Sequence, residues 1–206
     1  MTNSQKAFIK YQLKYLAAYE FGIICLFFLF AFIFGNYSLA DFNSSFNNLL
    51  FFAPFVTFHW LDQESFKLSL QYSLSRKFYI MMILLSAIIS AVVVYGIILI
   101  IGIILQNLHA GVQTLGHFMV LTSHHWLRNI LEILLASLAG NFTSIYHRRH
   151  YLTVLLFVIL ISFFVVLNEN LNNFTTIILL GSTLLAFLLV IICNRKRVID
   201  QLVKYK

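Results

Sequence analysis

Apolar runs alternate with short polar intervals along almost the whole chain, and the longer runs approach the length a helix needs to cross a bilayer. Spans are predicted at about 20–34, 46–61, 78–105, 126–146, 151–167 and 174–193. The first is short for a bilayer, so residues 15–19 contribute to its length. The second carries Pro54, which removes one backbone hydrogen bond and predicts a kink. The third is about 40 Å long as a helix, so it must tilt, bend or project. Small residues within it, Ser86, Ser90, Gly96 and Gly102, offer surfaces for helix packing. Residues 35–45 read as a polar outer loop. Residues 106–125 form a second outer segment, with an apolar stretch at 112–121 too short to span that reads as re-entrant or interfacial.

Two polar intervals have helical periodicity of their own. Before the first span, Lys6, Lys10 and Lys14 fall on one side of a helix and Phe8, Tyr11, Tyr15 and Tyr19 on the other. This predicts an interfacial helix with its rings in the headgroup layer. Between the second and third spans lies DQESFKLSLQYSLSRK, residues 62–77. It predicts a short separate helix, with Asp62 or Ser65 as N-cap and Arg76 and Lys77 at its C-terminal end. Phe66, Leu70 and Leu74 make one apolar stripe and Leu68 and Tyr72 another, so this helix needs a neighbour on each of two faces.

Composition fixes the class. Of 206 residues, 61% are hydrophobic and 10% charged, and one Pro with eight Gly leaves no room for a flexible linker. The expected fold is all-α: a polytopic membrane protein of six spans in a single domain, residues 1–206. The net charge of +7 would suggest nucleic acid in a water-soluble protein. With both termini inside, however, every one of the 14 Lys and Arg residues except Arg128 falls on the inner side, as the positive-inside rule requires. The start of the chain lacks a small-residue cleavage site and does not read as a secretory signal. Abundant Phe, Ile, Asn and Lys point to an AT-rich bacterial gene, and hence to the bacterial cytoplasmic membrane. Cys25 and Cys193 sit in apolar spans without a pairing or metal motif.

Catalytic signatures are missing: no phosphate-binding Gly loop, HExxH, paired-carboxylate cluster or nucleophile motif occurs. The chain is not expected to be an enzyme or to hydrolyse ATP itself. His109, His117, His124 and His125 gather in the outer segment without a diagnostic spacing, and His59 reads as a hydrogen-bonded helix residue, so no metal site is indicated. The fourth span is the most polar. Within it Arg128 and Glu132, four residues apart, are expected to pair, as a structural bridge or as part of a pathway.

The segment FKLSLQYSLSRK, followed by a long apolar helix, resembles the corresponding stretch of small bacterial ABC exporter permeases of the type-2 class. An interfacial helix before the first span and a count of six are further points of similarity. The resemblance implies that the inner helix is a coupling helix docked in a separately encoded ATPase subunit, which would hold the ATP and Mg; this chain would carry no cofactor. Phe66, Lys67, Leu70, Gln71, Leu74, Arg76 and Lys77 would form the docking surface, and a second permease, a copy or a paralogue, would complete the path. The aromatic and aliphatic lining favours a peptide, lipid or hydrophobic drug as cargo. A non-transporting scaffold, immunity or sensor protein fits the same spans, as does an intramembrane enzyme built on Glu132 or the outer histidines.

Overall fold

A computed structural model of the chain describes residues 2–34, 39–108, 126–145 and 173–204. The described residues form α-helices: α1 (Asn3–Phe34), α2 (Leu39–Gln71), α3 (Arg76–Leu108), α4 (Trp126–Ile145) and α5 (Asn173–Lys204). The fold is therefore all-α, as the apolar periodicity required. Thr2 and Gln5 open α1 with a reciprocal cap: the Gln5 amide donates to Thr2 Oγ1 at 3.3 Å, and the Thr2 amide donates to Gln5 Oε1 at 2.9 Å.

The predicted third span falls within α3, the described part of the predicted fourth is α4, and the predicted sixth lies inside the longer α5. The fifth span, 151–167, and most of the outer segment with its four histidines lie outside the described residues. Other boundaries moved. The predicted interfacial helix and first span are one uninterrupted helix, and α2 already begins at Leu39, inside the expected outer loop. The predicted separate helix at 62–77 does not exist: residues 62–71 are the last turns of α2, while Arg76 and Lys77 begin α3.

Neighbouring helices account for these differences. Asp62 and Ser65 do not cap a helix, because both are buried and partnered sideways. With its polar side chains satisfied by other helices, the backbone has no need to break. It breaks instead at Ser73, whose φ of 50° is left-handed. There the Ser73 amide donates to Leu70 O at 3.1 Å and the Leu74 amide to Ser69 O at 2.9 Å, a Schellman closure of α2. Ser75 then caps α3, its Oγ accepting from the Phe78 amide at 3.3 Å. Four residues thus reverse the chain.

The main core gathers where the helices meet near this elbow. It combines Phe8 and Leu16 of α1, Phe58, Leu61 and Phe66 of α2, Phe78, Tyr79, Met82 and Ile83 of α3, Leu138 of α4 and Val190 of α5. Helix α4 lies against α2, α3 and α5. It approaches α2 closely at Gly140, where an added Cβ would sit 2.2 Å from Phe55 O and 3.1 Å from Phe58 Cβ. Among the described residues, the stretches Arg76–Ile97 and Thr176–Arg195 are long and apolar enough to cross a membrane.

Candidate functional site

The elbow between α2 and α3 is the part of the chain that carries the predicted docking residues. Lys67, Gln71, Arg76 and Lys77 are exposed there, Leu74 is half-buried, and the apolar Leu70 and Tyr72 are 43% and 39% exposed. Phe66 departs from the expected surface: only 2% exposed, it stacks edge-on against Tyr79 at 5.6 Å and belongs to the core. A helix interior explains this, since the predicted stripe splits once α2 has packed on α1 and α3. Phe66 and Ser69 turn inward, and Lys67, Leu70 and Gln71 turn out. Behind the turn lies a cavity of about 30 Å³, bounded on the elbow side by Ser69, Leu70, Leu74 and Arg76 and on the far side by Asn194 of α5.

Beneath the elbow, α2, α3 and α4 meet at one carboxylate, and α5 joins them through Asn141. Asp62 of α2, 3% exposed, accepts at Oδ1 from the Tyr79 hydroxyl of α3 at 2.5 Å and from Asn141 Nδ2 of α4 at 2.6 Å. Its Oδ2 accepts from the Ser144 hydroxyl of α4 at 2.7 Å. The chain of bonds continues to α5, where Asn194 Nδ2 donates to Asn141 Oδ1 at 3.1 Å and to Val190 O at 2.9 Å. A carboxylate can only accept, so Asp62 fixes which way the Asn141 amide faces, and Asn141 in turn fixes Asn194. Three donors on two neighbouring helices satisfy the oxygens, which is the condition for keeping such a group buried.

Smaller polar ties flank this hub. His59 Nδ1 lies 3.0 Å from Thr143 Oγ1, and because that hydroxyl proton is spent on Gly140 O, the ring nitrogen is the donor. On the α1 side, the Ser65 hydroxyl donates to Gln12 Oε1 at 2.6 Å, and Ser90 of α3 donates to the buried carboxyl of Glu20.

Lys6, Lys10 and Lys14 are exposed along one side of α1, as the periodicity predicts. The aromatic side behaves differently. Phe8 is buried in the core, while Tyr11, Tyr15 and Tyr19 stack in series at 4.2 and 6.2 Å and run onto Trp60 of α2 at 6.4 Å. Tyr11 also donates to Glu64 of α2 at 3.0 Å. Burial, and then this bond to a carboxylate, push its phenol well above the ordinary range. The rings therefore dock α1 on α2.

Arg128 and Glu132 pair as their spacing predicts, Nε to Oε1 at 2.9 Å, with both side chains almost wholly buried. They lie near the start of α4, more than two turns before Asn141, so they do not join the hub. Sequence reasoning placed Asp62 at a helix end and read Asn141 and Ser144 only as part of a polar span. The available signal was their spacing of three, which puts two hydrogen-bonding side chains on one face of a helix. No family model, curated protein or solved structure matches this chain.

Proposed function

We propose that this chain is the permease subunit of an ATP-driven transporter. It crosses the bacterial cytoplasmic membrane six times with both termini in the cytoplasm, and the α2–α3 elbow is the docking point for a separate ATPase. The observation that carries this reading is the elbow itself: a tightly capped reversal that exposes Leu70 and Tyr72 between Lys67, Arg76 and Lys77. Apolar side chains held at a rigid tip and ringed by cations suit a cleft with an apolar floor and acidic rim. Lysines and arginines flanking long apolar helices support a cytoplasmic position for that tip. Outward-facing Phe21, Val92, Ile177 and Leu188, each about 60% exposed, support burial of the helix flanks in lipid. Cargo of peptide, lipid or hydrophobic-drug type fits this aliphatic and aromatic composition, and a second permease completes the path.

The test is whether a neighbouring gene encodes an ATP-binding cassette subunit, then co-expression with that subunit, purification of the complex and measurement of ATP hydrolysis in lipid. Leu70→Asp and Arg76→Glu each separate the two subunits or abolish coupled hydrolysis. Should both variants leave assembly and activity at the wild-type level, the elbow is not the docking point.

A further inference from the structure

We propose that Asp62 and Asn141 are positioning residues that make α4 and α5 follow the elbow when it moves; this rests on the permease reading. Asp62 lies nine residues before the end of α2, about 14 Å along the helix axis. Tyr79 lies one turn inside α3. Both arms of the elbow therefore reach the hub through short rigid segments, braced by the Phe66–Tyr79 and Phe8–Tyr79 ring contacts. Beyond the hub the path runs through Asn141 and Ser144 into α4, and through Asn194 into α5. Around it the packing is Phe, Leu, Ile and Val.

Apolar contact is non-directional and lets helices slip past one another. Hydrogen bonds to a carboxylate are short, strong and fixed in direction, so displacement of Asp62 pulls on Asn141 and Ser144 instead of sliding by them. Coupling of distant sites requires that such a hub move as a unit between two discrete arrangements, and the labelling experiment below reads whether it does. Asn141 is its critical member, because it bonds to both Asp62 and Asn194 and so joins α2 to α5 through α4.

Cys193, half-buried and adjacent to Asn194, supplies a native reporter on α5. In a Cys25→Ala background, the complex with the ATPase is reconstituted in lipid nanodiscs, and maleimide labelling of Cys193 is timed with and without ATP and vanadate. The expected result is a labelling rate that changes about fivefold or more on vanadate trapping. Asp62→Asn keeps that response, because the new amide still accepts from Tyr79 and Asn141 and donates to Ser144. Asn141→Leu loses it while still binding the ATPase; if that variant fails to assemble, Asn141→Ser is measured in its place. A full response in the Asn141 variant overturns the proposal and leaves the permease reading intact. A wild-type complex that hydrolyses ATP with no change at Cys193 also overturns it. Failure of the wild-type subunits to associate removes the permease reading itself.

Discussion

Gly140→Ala is the smallest change that tests the α2–α4 approach on which the hub depends. The new Cβ would stand 2.2 Å from Phe55 O, where carbon–oxygen contacts settle near about 3.3 Å. The obstacle is backbone carbonyl, so no rotamer change relieves it, and α4 must withdraw by about 1 Å. Asn141 and Ser144 withdraw with it. Their bonds to Asp62, 2.6 and 2.7 Å, then lengthen to about 3.6 Å, beyond useful hydrogen-bond range. Overpacking costs about 1–3 kcal/mol and each of the two weakened bonds to a charged group up to about 1.5–3 kcal/mol, for a total of up to about 4–9 kcal/mol. That is a large share of a typical folding free energy. Gly96→Ala and Gly181→Ala are the internal controls, since a Cβ at either meets nothing within 4 Å. Both should be neutral or stabilising by about 0.5–1 kcal/mol, the ordinary helix preference for Ala. Thermal unfolding in detergent, followed by the fluorescence of Trp60 on α2 and Trp126 on α4, should show a melting temperature lower by about 10 °C or more for Gly140→Ala and unchanged or higher for the controls. A Gly140→Ala variant that melts with the controls would refute the close approach of α2 to α4.

Within the elbow, Phe66→Ala should destabilise the fold by about 3–5 kcal/mol, whereas Leu70→Ala should leave the melting temperature within about 2 °C and weaken only ATPase binding; parallel unfolding and pull-down measurements separate the two effects. At the start of α4, Glu132→Ala leaves a buried guanidinium without its carboxylate and should cost about 3–5 kcal/mol, while the Arg128→Met, Glu132→Leu double variant should recover most of the loss in a double-mutant cycle. The Tyr11–Glu64 tie predicts an alkaline effect: a phenol whose folded-state pKa is raised contributes stability that is fully present below about pH 10 and is lost as pH climbs through the folded value. Tyr11→Phe should therefore reduce the loss of melting temperature above pH 10 relative to wild type, and equal losses in the two proteins would rule out this assignment.

Part of the fold was legible because apolar length and helical periodicity are local properties. The helices at the predicted third and fourth spans, the Arg128–Glu132 pair and the exposed lysine face of α1 all follow from spacing along one helix. The elbow was found but misread. Arg76 and Lys77 resemble the favourable cationic end of a helix, yet they begin α3, where the helix dipole gives them no help. Nothing local distinguishes the two cases, because a serine with positive φ is stabilised by the bonds of the turn it closes and carries no glycine signal.

By itself, then, the sequence determined that the described residues are helical and that the stretches in α3 and α5 are long and apolar enough for lipid, and it marked residues 62–77 as a polar interval between apolar helices. Tertiary structure decided that α2 runs on to Gln71, that Phe66 belongs to the core, and that Asp62, Tyr79, Asn141, Ser144 and Asn194 meet. The reason is the range of the interactions. Hydropathy and periodicity act within a few residues, whereas Asp62 and Asn194 are brought together by the packing of α4 against both α2 and α5. A buried polar side chain finds its partner only after the helices have chosen theirs.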